Sequence, residues 1–168
     1  MHPEALSWVS RCAHELSGVD AVLDIGGRNI NGSVRPLFID ATVYTALDIA
    51  DGPGVDVVAD AATWTPDREY DAVVAAEVFE HTDSWPEICA TAYKACKPGG
   101  TFIATMAGPG RPPHSGMDGG PTLYPGEHYA NVRPERLHEV LAACGLRDIV
   151  VDQQRSPADV RAVAVKPA

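Results

Sequence analysis

No stretch of the 168 residues holds the roughly eighteen consecutive apolar side chains that a membrane-spanning helix needs. The first residues, Met1-His2-Pro3-Glu4, lack the basic-then-apolar order of a secretory signal, so a cytoplasmic protein is expected. Cysteine is sparse and scattered. Cys12, Cys89, Cys96 and Cys144 form no Cys-x-x-Cys pair and have no histidine at zinc-finger spacing, so they read as reduced core residues. Positive charge is also short: 13 Lys and Arg face 23 Asp and Glu, a formal net charge of -10. That balance disfavours a bulk-charge grip on nucleic acid or on an anionic membrane. With no internal repeat and no linker, the chain reads as a single domain, residues 1–168.

Apolar runs of strand length alternate with helical patterns, the signature of an α/β fold around a parallel sheet. Strands are expected at Ala21–Ile25, Val43–Ile49, Val55–Ala59, Asp71–Ala76 and Thr101–Met106, the last entered through the Pro98-Gly99-Gly100 turn. Leu6, Val9, Ala13 and Leu16 mark an amphipathic helix within residues 1–19, closed by Gly18. Trp85, Ile88, Cys89, Ala92 and Cys96 share one face of a second helix, for which Ser84 and Glu87 form a capping box. Leu137, Val140, Leu141 and Cys144 share a face of a third, opened by Pro134 and stopped by Gly145. Two final strands, Asp148–Gln153 and Arg161–Lys166, flank the Ser156-Pro157-Ala158-Asp159 turn and form an antiparallel hairpin. Residues 107–133 are rich in Gly and Pro, have no period, and follow a strand's carboxyl end, where open α/β sheets bind ligands.

Chemistry concentrates at the strand ends. Asp24 is followed by Gly26 and Gly27, glycines that let the backbone turn sharply and approach a ligand. Asp48 lies 24 residues after Asp24 and can accept both hydroxyl hydrogen bonds of a ribose. Asp60, at the end of the third strand, could accept from an exocyclic adenine amine. Each aspartate alone could equally cap a turn. Gly26 followed by Arg28 does not supply the Gly-x-Gly-x-x-Gly seat for a pyrophosphate, which argues against a nicotinamide enzyme.

The ordered set resembles the class I S-adenosylmethionine-dependent methyltransferases, in their small single-domain form. Asp24-Ile25-Gly26-Gly27 is similar to the first motif and Tyr44-Thr45-Ala46-Leu47-Asp48 to the ribose-binding strand. Val57-Val58-Ala59-Asp60-Ala61 resembles the adenine-binding turn, Tyr70 to His81 the fourth motif with its Glu-x-x-Glu-His segment, and Lys97-Pro98-Gly99-Gly100-Thr101 the next turn. The resemblance implies a Rossmann-like doubly wound sheet of seven mostly parallel strands with the antiparallel hairpin at its C-terminal end. It implies S-adenosyl-L-methionine as cofactor, held by Asp24, Gly26, Gly27, Asp48, Ile49, Asp60, Ala61 and Glu77.

Where the family has further glycines this chain has Arg28 and Ile30, and Arg28 could neutralise the methionine carboxylate or be solvated. The implied reaction is in-line transfer of a methyl group to an O or N atom of a small-molecule acceptor beneath the 107–133 loop. His81, His114 and His128 are the candidate bases for the acceptor's proton. Nucleic acid is not the expected acceptor: the fourth strand is followed by Glu77-Val78-Phe79-Glu80, without the Asn/Asp-Pro-Pro-aromatic motif of the amino-methylating enzymes. No metal and no membrane partner are expected, and oligomeric state is left open. The alternative, kept alive by Arg28, is a silent cofactor-binding or scaffold domain.

Overall fold

Residues 1–168 are described by a computed structural model. In chain order the elements are α1 (Pro3–Glu15), β1 (Ala21–Ile25), β2 (Val43–Asp48), β3 (Val57–Val58), β4 (Tyr70–Ala76), α2 (Trp85–Ala95), β5 (Cys96–Ala107), α3 (Pro134–Cys144), β6 (Arg147–Gln153) and β7 (Asp159–Val165). Single 3-10 turns occur at Arg35–Phe38 and Phe79–His81. All seven strands join one sheet in the order β3-β2-β1-β4-β5-β7-β6. β1 to β5 run parallel to one another, and β7 runs antiparallel to both β5 and β6. The expected doubly wound sheet with its terminal hairpin is therefore present.

Two apolar layers explain why β1 is buried along its whole length. Leu23 and Ile25 face the layer that includes α2 and α3, while Val22 faces the one formed by α1 and the Arg35–Phe38 turn. Side chains alternate across a strand, so Asp24 points with Val22 into the α1 side, where Tyr44 also packs. α3 begins on Pro134 and ends at Gly145, which adopts a left-handed conformation with φ 103°.

Three local expectations are corrected. The capping box at α2 does not form: Ser84 has ψ 15°, outside the extended cap geometry, and its hydroxyl donates to Asp83 instead. The third strand is shorter than expected, because the regular ladder covers only Val57 and Val58. Irregular bonds extend it, from the Asp56 N–H to the Ala46 carbonyl and from the Ala59 N–H to the Asp48 carbonyl. β5 begins at Cys96, five residues early, and takes the Pro98-Gly99-Gly100 segment into the strand as an irregularity opposite Tyr70 and Ala72. No helix is long and apolar enough to cross a membrane. The four cysteines are free; three are buried and Cys144 is half-buried.

Candidate active site

The strand order reverses between β1 and β4, and at such a switch point the loops on the carboxyl side diverge and leave a crevice. A cavity of about 800 Å³ opens there, within the range of about 300–1,000 Å³ typical of small-molecule sites. Its wall begins with the turn after β1. The N–H groups of Gly26 and Gly27 both donate to the Leu47 carbonyl, which folds this turn over the end of β2. Gly26 has φ 75°, and a Cβ there would lie 2.3 Å from Val78 Cγ2; a Cβ on Gly27 would lie 2.7 Å from that of Ala46. Neither position has room for a side chain.

The folded turn delivers the Arg28 N–H to Asp48 Oδ2 at 3.1 Å, while Oδ1 accepts from the Ala50 N–H at 3.0 Å. Two backbone donors thus fix the orientation of the Asp48 carboxylate in the cavity wall, and its remaining lone pairs are available to a ligand. Ile49, 73% exposed, stands beside it as an apolar surface. Asp60 is oriented by one backbone donor, the Ala62 N–H to its Oδ1 at 2.9 Å, and Ala61 lines the cavity beside it.

After β4 the backbone turns through Glu77, whose φ of 60° is unusual for a residue with a side chain. Its N–H is tied to the Thr105 carbonyl at 2.7 Å, which holds the turn in place. The Glu77 carboxylate is nearly buried. Burial alone would raise its pKa, yet His2 at 3.1 Å and Arg111 at 3.8 Å outweigh that and hold it below the usual range. Its Oε1 has no hydrogen-bond partner and the residue lines the cavity. His2 lies 3.1 Å from Asp159 as well, and these carboxylates push its pKa up to about 10, so it is an imidazolium at neutral pH. Arg111 completes the network through an ion pair with Asp159.

Phe79 stacks between Trp85 (5.6 Å) and Phe102 (6.4 Å), anchoring the 3-10 turn that presents Glu80 and His81. Glu80 is fully buried. Burial, followed by the charge of Glu77, pushes its pKa up to about 8. His81 and His114 meet edge to face at 4.9 Å, with Tyr129 5.7 and 5.1 Å from them. Burial lowers both histidines, His81 to about 4, so both are uncharged near pH 7.

The segment 108–133 is held as a cover over this end. The Ala130 N–H donates to the Glu80 carbonyl and that of Val132 to the Ala107 carbonyl. Glu127 gathers the loop by accepting from the Ser115 hydroxyl and from the Tyr124 N–H. Arg28 reaches across from the glycine turn to the carbonyls of Gly116 (3.4 Å) and Met117 (3.1 Å). It thereby straps the two loops together while lining the cavity, and its buried Nε has no partner.

Of the residues expected from sequence, Gly26, Asp48, Ile49, Asp60, Ala61, Glu77, His81 and His114 line the one cavity. Asp24 and Gly27 lie behind it, along a small adjoining recess of about 80 Å³. His128 is exposed and lines neither space, although the next residue, Tyr129, packs against His81 and His114. His2, Arg111 and Glu127 belong to the site and were not expected. His2 and Arg111 reach Glu77 only through long-range folding, which no spacing rule in the sequence reports.

A sequence profile described as a methyltransferase domain matches residues 1–151, and the chain belongs to that family. No curated protein sequence matches it. Among solved structures it is similar to phosphoethanolamine N-methyltransferase 2 from Haemonchus contortus in complex with S-adenosyl-L-methionine. That match has a TM-score of 0.73 and 16% identity, over 98% of this chain and 52% of that one. This chain thus spans about half the length of that enzyme. It is also similar to 1,6-didemethyltoxoflavin-N1-methyltransferase from Burkholderia thailandensis, with TM-score 0.71, 16% identity and coverage of 98% and 79%. A third is the N-methyltransferase NodS from Bradyrhizobium japonicum WM9, with TM-score 0.69, 16% identity and coverage of 98% and 87%. At these identities the likeness concerns the fold.

Proposed function

We propose that this chain is an S-adenosylmethionine-dependent methyltransferase that methylates an oxygen or nitrogen of a small molecule. One observation carries the reading: Asp48, Asp60 and Glu77, at the ends of three strands of a methyltransferase-family sheet, face a single cavity of small-molecule size. The residues fit the cofactor. Asp48 offers oriented lone pairs to ribose hydroxyls, Ile49 and Ala61 offer apolar surface to a purine, and Asp60 can accept from its amine. The unpartnered Glu77 Oε1 suits an α-ammonium group.

Bound there, the cofactor supplies an electrophilic methyl group on a sulfonium. The chain's own contribution is to align donor and acceptor in a small volume and to exclude water with the 108–133 cover. His81 and His114, uncharged near neutral pH, line the same cavity and can take a proton from an acceptor hydroxyl or ammonium. The net charge of -10 favours a small acceptor over nucleic acid.

Calorimetric titration with S-adenosylmethionine and S-adenosylhomocysteine tests this. Both should bind, and Asp48→Ala should weaken them about 10- to 100-fold, the loss of one or two hydrogen bonds to a charged acceptor. Absence of heat with either compound on folded wild-type protein would refute the proposal.

A further inference from the structure

We propose that Glu80, His81 and His114 form a binding site for a divalent transition-metal ion at the acceptor end of the cavity, an inference that rests on the methyltransferase reading only for its catalytic use. One donor atom from each of the three lies within 4.8 Å of the other two. Glu80 is fully buried; its Oε1 accepts from the Ala107 N–H at 3.0 Å, and its Oε2 has no partner. His81 Nδ1 is likewise buried without a partner. Glu77 Oε1 and Thr105 Oγ1 nearby also lack partners, but Glu80 and His81 are the pair whose unpartnered atoms belong to residues with metal-ligating atoms gathered within 4.8 Å. A cation bound between these residues would satisfy both at once.

His114 carries the arrangement further. Its Nδ1 lies 3.4 Å from the Pro112 carbonyl, which selects the tautomer with the proton on Nδ1 and leaves the Nε2 lone pair 3.9 Å from Glu80 Oε1. A backbone carbonyl on the far nitrogen is the usual way a ligating imidazole is oriented. Two imidazole nitrogens and one carboxylate oxygen suit Zn²⁺, Mn²⁺, Fe²⁺ or Co²⁺, whereas Mg²⁺ and Ca²⁺ favour oxygen throughout. Three protein ligands leave coordination positions open, and because His81 and His114 line the cavity these positions face it.

An ion held there would bind the oxygen of an acceptor hydroxyl and lower its pKa. The hydroxyl proton would leave to water, and the alkoxide oxygen would form the new bond to the methyl carbon. The carbon–sulfur bond would break with its electron pair passing to sulfur, giving a neutral thioether. The imidazole lone pairs are then engaged by the ion, which makes deprotonation a consequence of coordination and narrows the acceptor to a hydroxyl compound.

Protein stripped with a chelator is titrated with Co²⁺ alone, followed by its visible d–d absorption and by calorimetry, and the same sample is titrated with S-adenosylhomocysteine. One Co²⁺ per chain is expected, with affinity reduced about tenfold or more in His114→Ala and in Glu80→Gln. Wild-type protein that binds S-adenosylhomocysteine but no Co²⁺ overturns the metal site and leaves the methyltransferase reading standing. Co²⁺ binding without S-adenosylhomocysteine binding does the reverse. Glu80→Gln is a core change, so His114→Ala, on the covering loop, is the decisive variant: undiminished Co²⁺ affinity in folded His114→Ala overturns the assignment.

Discussion

Replacing Asp24 by Asn should stabilise the protein at alkaline pH and do so less as pH falls. Asp24 is buried on the α1 side of β1, where the Tyr44 hydroxyl donates to its Oδ2 at 2.7 Å. Burial outweighs that hydrogen bond and pushes its pKa from 3.8 to about 7. The folded state therefore holds the proton more tightly than the unfolded chain. Below pH 3.8 both states are protonated and the group is neutral to stability; between the two values the unfolded chain ionises first, and stability falls as pH rises. At pH 8 the ionised carboxylate costs about 4 kcal/mol relative to the unfolded chain, and at pH 5 about 1.5 kcal/mol. Asn has the same shape and does not titrate. Its amide adds a buried donor that costs about 1–3 kcal/mol at every pH, so the informative quantity is the change with pH. Urea unfolding at pH 5, 6, 7 and 8 should show the stability of Asp24→Asn rising against wild type by about 2–3 kcal/mol across the series. Tyr44→Phe, which removes the donor to the ionised form, should steepen the wild-type decline. A difference between Asp and Asn that stays constant from pH 5 to 8 would refute the assignment of a buried, proton-holding Asp24.

Gly26→Ala should destabilise the fold by about 1–3 kcal/mol, because it puts a side chain at φ 75° against Val78; paired with Val78→Ala it should recover part of the loss in the same unfolding assay. Phe79→Ala should cost about 3–5 kcal/mol by emptying the space between Trp85 and Phe102, and chemical shifts of the His81 ring should broaden as its turn loosens. Arg28→Ala removes the strap to Gly116 and Met117, and amide hydrogen exchange across residues 115–120 should quicken about tenfold while that of β4 is unchanged. His2 has a folded pKa raised to about 10, so its contribution is complete below pH 6.5 and is lost as pH climbs toward 10. Thermal unfolding of wild type should decline over that interval more than that of His2→Ala, and parallel curves would count against the His2–Glu77–Asp159 network.

The parts of the fold written in local periodicity were legible. β1, β4, α3 and the terminal hairpin announce themselves through apolar runs, Pro134 and Gly145, because burial on two faces or one imposes a pattern on neighbouring residues. Where a side chain substitutes for backbone pairing the pattern fails. Asp56 supplies its N–H and its carboxylate to Ala46 just before β3, so hydrogen bonding continues where strand spacing ends. At α2, Thr82 accepts from the Ser84 N–H and Asp83 from the Ser84 hydroxyl, so the capping residues are consumed one residue too early to close the box.

The site divides along the same line. Asp48, Asp60 and Glu77 could be found because each lies at or within two residues of a strand's carboxyl end, and a strand end in a parallel sheet is a defined place in space. Arg28 could not be interpreted from its neighbours: its backbone N–H orients Asp48, one residue's worth of glycine loop, while its guanidinium binds a loop some ninety residues away. Its backbone N–H and its guanidinium thus hold two walls of the cavity. The residue that stands where the resemblance expects a glycine still directs its backbone N–H to the Asp48 carboxylate, as a glycine could, and adds a tether for the cover. On these contacts Arg28 leaves the Asp48 carboxylate facing the cavity, so its presence is not by itself an argument for a silent domain.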